Sequence, residues 1–255
     1  MTRHTLFNSH QMMYDIMKHM LTFIIPCYNA APNIHDLVQS LKAQSDADWS
    51  ALFIDDCSTD DTRDALKEAM ASDGRIAVVL GSSRMYALYN IIHASRTIIA
   101  NNDADRNIIA IIDGDDQLCN TETVRLVKDA HSQPDTVAWT AHRWDINDIN
   151  ISREMPQNVN PYQWPWCSSH LRTFDARLLN SISDDNFKDN KSVWFQRGYD
   201  QSLMLPLLTV AKVRKYIPDV CYLYRIRSCS VDDRDWAERK QLATVNLVRA
   251  RGFLK

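Results

Sequence analysis

Short apolar runs alternate with helical patterns through the first half of the chain. "LTFIIPCYN" (21–29) reads as a buried strand closed by Pro26, which cannot donate to a ladder. "NIHDLVQSLKAQ" (33–44) then sets Ile34, Leu37, Val38 and Leu41 at helical spacing. "WSALFIDDCSTDDT" (49–62) is a second strand running into turn chemistry, where Ser58, Thr59 and Asp60 are of helix N-cap type. "RIAVVLGSS" (75–83) predicts a third strand and "MYALYNIIHAS" (85–95) a helix. "NIIAIIDGDD" (107–116) predicts a fourth strand, with a helix over 121–131. The second half is less regular. It reads as a strand and turn over 136–148, a proline-bearing loop over 149–166 and a strand-to-helix segment over 168–182. A helix over 199–211, a pair of strands over 213–228 and a terminal helix over 233–251 follow.

Strands alternating with helices imply a mainly parallel sheet covered on both faces, whose ligands sit beyond the carboxyl ends of the strands. Pro26–Asn29, Asp55–Asp56, Ser82–Arg84 and Asp113–Asp116 all fall at those ends. The last cluster holds three carboxylates in four positions, Asp113, Asp115 and Asp116. Like charges this close repel unless a cation sits among them or water solvates them. A solvated turn and a divalent-metal site both satisfy that requirement.

Composition narrows the classes. A chain of 255 residues makes one large domain or two small ones, and a net charge of -3 gives no global basic field for nucleic acid. Residues 212–255 nevertheless carry eleven Lys/Arg against five Asp/Glu. Arg239, Lys240, Arg249, Arg251 and Lys255 there could meet an anionic acceptor or a membrane surface, and a solvated helix explains the run as well. The six cysteines form no CxxC pair. With no signal-like apolar segment near the N-terminus and no run of about 18 apolar residues, the expectation is a cytoplasmic chain, at most peripheral to a membrane.

Four motifs, in order, carry a family resemblance across roughly residues 21–230. "LTFIIPCYNA", "FIDDCSTDDT", "IIDGDD" and the pair "GYDQSLMLPLL" and "YIPDVCYLYRIRSCS" resemble the family 2 glycosyltransferases of GT-A fold. The second is similar to that family's "VDDGSTDGT" element and the third to its DXD region. The resemblance implies an α/β fold: a mainly parallel, Rossmann-like sheet with helices on both faces and a smaller mixed C-terminal acceptor subregion. It implies a single domain over 21–255 after an extension over 1–20. Residues 21–117 would bind the nucleotide-sugar, 118–230 the acceptor, and 231–255 would form a C-terminal helix.

The resemblance further implies an inverting transferase that takes its sugar from a nucleotide-diphospho-sugar, with a UDP-sugar favoured. Pro26 and Tyr28 would shape the nucleotide pocket. Asp55 or Asp56 would accept a hydrogen bond from the base, a carboxylate suiting uracil's imide N–H. Arg84 would reach the base or a phosphate. Asp113 and Asp115 would hold sugar, ribose and a divalent cation, Mn²⁺ or Mg²⁺, on the diphosphate. Asp116 would cap the following helix. Asp200 matches the general base that takes the acceptor hydroxyl's proton. Trp164 and Trp166 could stack on the acceptor or pack in the core, and His170 reads as a packed or capping residue.

Departures from the family pattern are specific. Tyr199 stands where Glu often precedes the base, Cys57 where Gly is usual, and "SSRMYALYN" lacks the glycines usual before Asn90. Arg227 follows the "YR" pair where a His near the metal is common, so an arginine could contact the diphosphate. "NNDADR" spells a second DXD, Asp103-Ala104-Asp105, ahead of a stronger strand. A palm polymerase would need a hairpin about the acids, and a nucleotidyltransferase a Gly-rich basic loop that "IIPCYNAAPN" lacks. The alternative of another class is a non-catalytic nucleotide- or glycan-binding module on a degenerate GT-A scaffold.

Overall fold

The computed structural model describes residues 19–101, 107–226 and 234–255. Strand β1 (Leu21–Cys27) is fully buried and lies between two parallel neighbours, β2 (Trp49–Asp55) and β4 (Ile108–Ile111), with β3 (Ile76–Leu80) parallel beyond β2. Helices α1 (Ala31–Lys42), α2 (Thr62–Ser72) and α3 (Tyr86–Asn101) alternate with these strands, as the apolar periodicity predicts. Helix α3 runs to Asn101 rather than ending near residue 95.

The later elements are β5 (Gln117–Leu118), α4 (Thr123–Ala130), β6 (Thr136–Trp144), β7 (Arg172–Asp175), α5 (Tyr199–Val210), β8 (Val213–Tyr224) and α6 (Arg234–Arg251). All strands join one eight-stranded sheet of order β3-β2-β1-β4-β7-β6-β8-β5. The loop over 149–166 carries Pro156, Pro161 and Pro165 and no helix or strand. Alternation along β1 divides the core. Leu21, Phe23 and Ile25 pack with α1, α2 and α4 on one face, and Ile24 packs with α3 and α5 on the other. Among the described residues no helix is long and apolar enough to cross a membrane.

Two features of the second half depart from the expected pattern. The segment 213–228, read as a pair of strands, contains one strand among its described residues, β8, parallel to β6. Thr140 pairs with Ile217 and Ala141 with Val220, so Pro218 and Asp219 sit in an irregularity that frees proline from donating to the ladder. The other is β7, which enters mid-sheet antiparallel to both β4 and β6. Its register sets Arg172 opposite Ile111, so the first residue of β7 lies beside the carboxyl end of β4.

Candidate active site

The carboxyl ends of β1, β2 and β4, the start of β7 and the first turns of α3 and α5 enclose a cleft of about 430 Å³. Pro26, Tyr28, Asp56, Arg84, Asp113, Asp115, His170, Arg172, Tyr199 and Asp200 line it. Each of the four strand-end clusters thus contributes at least one polar side chain, although they come from segments far apart in sequence.

The acids are carried by a tight turn after β4. The Asp116 N–H donates to the Asp113 carbonyl (2.9 Å) and the Gly114 N–H to the Pro26 carbonyl (3.1 Å). A Cβ on Gly114 would lie 2.6 Å from Cys27 Sγ and 3.0 Å from the Pro26 oxygen, so only glycine lets this turn close on β1. Gly114→Ala is expected to lower stability by about 1–3 kcal/mol through overpacking. Adding Cys27→Ala should return part of that loss as a favourable coupling in a denaturant double-mutant cycle.

Arg172, 1 % exposed, is a buried cation paired with one of these acids, Asp113. Its Nη2 donates to Asp113 Oδ2 (3.0 Å) and to the Tyr199 hydroxyl (2.8 Å), and Tyr199 donates to Asp113 Oδ1. The guanidinium carbon also lies 4.8 Å from the Tyr199 ring centre. Burial alone would weaken the charge on Arg172, but Tyr199, Asp113 and their neighbours more than offset it and hold the pKa above its ordinary value. Tyr199, which immediately precedes Asp200, is thus tied to Asp113. Asp200 follows in the first turn of α5, which starts from Gly198 at φ 68°, a left-handed conformation. Burial raises the Asp200 pKa, and the nearby Arg172 opposes that rise.

Asp116 does not cap the following helix. It is fully buried, accepting from the Tyr222 hydroxyl (2.7 Å) and the Arg225 backbone N–H (2.7 Å). Burial, then the charges of Asp115 and Asp113, push its pKa well up. The Tyr222 oxygen also accepts from the Asp113 N–H (3.1 Å), joining the two acids. Arg225 donates to the Asp115 carbonyl (3.3 Å), to Gln117 Oε1 (2.6 Å) and to Asp36 (2.9 Å). His170, read from sequence as a packing residue, lies in the cleft wall stacked on Tyr222 and Tyr224, with centroids 4.6 and 5.1 Å apart. Asp113, Asp116 and His170 each bring a ligand-type atom within 4.8 Å of the others. Asp115 lines the cleft outside that group. Burial, then Arg172 and His142, depress the His170 pKa and keep its ring neutral.

At the other end of the cleft the two candidate base-binding acids part company. Asp55 is fully buried, accepting from the Ser58 N–H (3.1 Å) and Arg63 Nε (2.8 Å), and it does not line the cleft. It braces the turn after β2. Asp56 lines the cleft while accepting from the Met85 and Tyr86 N–H groups (2.7 and 2.8 Å) and from Asn90 Nδ2 (2.9 Å). Those bonds hold Tyr86 at φ 66°, and Cys57 stands at φ 65°; both take left-handed conformations where the family pattern favours glycine. The Arg84 guanidinium stacks 3.3 Å from the centre of the Tyr28 ring.

Other expected contributors lie elsewhere. Trp164 and Trp166 are partly buried against the core rather than in the cleft wall. Arg249 donates to Gln201 and to the Tyr162 and Trp164 carbonyls, and Arg251 to the Lys188 and Asn186 carbonyls. These two bases of the C-terminal run therefore fasten α6 to the body. Arg227 and the Asp103-Ala104-Asp105 triplet lie outside the described residues, as does most of the N-terminal extension. Sequence reading missed Arg172, Tyr222 and Arg225. An arginine inside the apolar run "HLRTF" was the one available signal for the first.

Behind the cleft, His142 bonds Ser152 Oγ through Nδ1 (3.1 Å). Burial, then Arg172, push its pKa down from 6.5 to about 4. The unfolded chain therefore takes up this proton first as pH falls. The contribution of His142 to stability is complete above about pH 6.5 and declines toward about pH 4. The expected loss between pH 7 and pH 5 is on the order of 2 kcal/mol, measured by urea denaturation. His142→Asn should flatten that part of the profile.

Comparison with known proteins finds relatives in sequence and in fold. The chain is 45% identical over 62 residues to the Bacillus subtilis (strain 168) protein named "Putative teichuronic acid biosynthesis glycosyltransferase TuaG", covering 24% of this chain and 25% of that protein. The fold resembles S. aureus TarS 1-349 in complex with UDP-GlcNAc (TM-score 0.60, 18% identity, 92% of this chain and 68% of that one). It also resembles the mannosyltransferase PcManGT from Pyrobaculum calidifontis in complex with GDP-Man and Mn²⁺ (TM-score 0.63, 18% identity, 91% and 63%). The matched segments span about a quarter of the length of the curated relatives. Residues 22–191 match the profile described as Glycosyl transferase family 2, most of the sheet and the acid-bearing turn included, and the chain belongs to that family.

Proposed function

We propose that this chain transfers a sugar from a nucleotide-diphospho-sugar, a UDP-sugar favoured, to an acceptor hydroxyl with inversion at the anomeric carbon. One observation carries the reading: the acidic turn after β4 and Asp200 on α5 line the same cleft as Pro26 and Tyr28. Donor-side acids and a base on the acceptor side are what a single displacement requires. The UDP-GlcNAc and GDP-Man bound by the structural neighbours support a donor of this chemical class.

In this reading Tyr28 and Pro26 bound the nucleotide, and Asp56, the one of the two neighbouring acids that reaches the cleft, accepts from the base. Asp115 faces the sugar and ribose. Asp200 takes the acceptor hydroxyl's proton as that oxygen bonds to the anomeric carbon and the bond to the diphosphate breaks. Arg172 keeps Asp113 and Tyr199 fixed close to Asp200.

The acidic turn also fits a divalent cation. Asp113 and Asp116 bring ligand-type atoms within 4.8 Å of one on His170, and one ring nitrogen of His170 is buried without a hydrogen-bond partner. Asp113 and its neighbours would hold the ion, Mn²⁺ or Mg²⁺, which supplies Lewis-acid neutralisation of the departing diphosphate. The test is nucleoside diphosphate release from UDP-, GDP- and dTDP-sugars with a panel of acceptors, in Mn²⁺, Mg²⁺ or EDTA. Release from one donor, abolished by EDTA, is expected. Donor binding without release across the panel would favour a binding module instead.

A further inference from the structure

We infer that His170 supplies a nitrogen ligand to the divalent cation, completing a set with Asp113 and Asp116 rather than the Asp113 and Asp115 pair that the motif suggests. The inference rests on the metal-dependent reading above and specifies its ligands.

The geometry comes first. Asp113, Asp116 and His170 offer ligand-type atoms within 4.8 Å of one another, close enough for one ion to touch all three after small side-chain adjustment. His170 is 9 % exposed, and its Nδ1 has no hydrogen-bond partner. A buried polar atom left so carries a desolvation cost that a ligand removes. The ring cannot easily turn away, because it stacks on Tyr222 and Tyr224.

The carboxylates are equally prepared. Asp116 is oriented by the Tyr222 hydroxyl and the Arg225 N–H, one bond to each oxygen, and each oxygen keeps a second lone-pair direction. Hydrogen bonds of this kind aim ligands and raise their affinity. An imidazole beside two carboxylates suits Mn²⁺ better than Mg²⁺, which favours oxygen alone. Asp115 lies outside this set and lines the cleft.

The experiment uses the full chain and Mn²⁺ alone, followed by electron paramagnetic resonance. Titration gives the affinity, and pulsed spectra of the bound ion report whether a histidine nitrogen is coordinated. The wild type should show that nitrogen coupling. His170→Asn should lose it and bind Mn²⁺ about tenfold more weakly or worse. His142→Asn, which alters the neighbouring ring, and Asp115→Asn, which alters an acid outside the set, should both keep the coupling. The wild-type spectrum needs no variant, so misfolding of His170→Asn would not blunt the test. Bound Mn²⁺ without nitrogen coupling, or coupling retained in His170→Asn, overturns the role of His170 while metal dependence stands. No Mn²⁺ binding even with UDP added overturns both.

Discussion

Replacing Arg172 with Met is expected to cost the fold about 3–5 kcal/mol, the largest single loss of stability in this site. Methionine fills the volume of the arginine stem, so little of the effect comes from a cavity. The loss comes from the partners. Arg172 is 1 % exposed and donates to both Asp113 and Tyr199, and its removal leaves a carboxylate short of its counter-charge. Asp113→Asn in the same background should recover a large share, because the orphaned charge is then gone. Arg172→Lys should fall between, since an ammonium keeps the charge but on a shorter stem than the one that carries Nη2 to both partners. Urea denaturation at pH 7 measures all four proteins. A Met variant as stable as the wild type would mean that the buried pair does not form.

The second large effect concerns rate rather than stability. Asp200→Asn should lower kcat about 10²–10⁴-fold, with the KM for donor unchanged, because the carboxamide keeps the shape but cannot accept the acceptor's proton. Stability should be unchanged or slightly higher, since burial disfavours the carboxylate and asparagine carries no charge. The base acts ionised, so wild-type activity should fall as pH drops through its pKa. Burial, opposed by Arg172, sets that acidic limb above the ordinary carboxylate range. A profile flat down to the ordinary carboxylate range, or a variant with wild-type kcat, would remove Asp200 from the chemistry.

Local patterns made the first half of the fold legible. Apolar runs ending in Pro26, Asp55 and Asp113 mark strands that enter a parallel sheet, and parallel strands place their carboxyl ends together. The convergence of Tyr28, Asp56, Arg84, Asp113, Asp115 and Asp200 on one cleft follows from that rule and from the family resemblance. What stayed hidden depends on long-range pairing. Arg172 meets Asp113 only because β7 inserts antiparallel beside β4 with Ile111 opposite Arg172, a register that neither segment encodes alone. His170 is carried to the same edge by the same insertion, so a packing role was the natural reading of it in isolation. Asp55 and Asp56 show the converse. They are adjacent acids of identical type, yet alternation along the strand end turns one to Arg63 and the other to the cleft.

The central claim is that the cleft between the acidic turn and α5 receives a nucleotide-diphospho-sugar. The most direct measurement is a crystal structure of the chain with a UDP-sugar and Mn²⁺. The account predicts the base against Tyr28, the diphosphate beside Asp113 and the anomeric carbon facing Asp200. A donor seated elsewhere on the protein, or a cleft left empty at saturating donor, would contradict it.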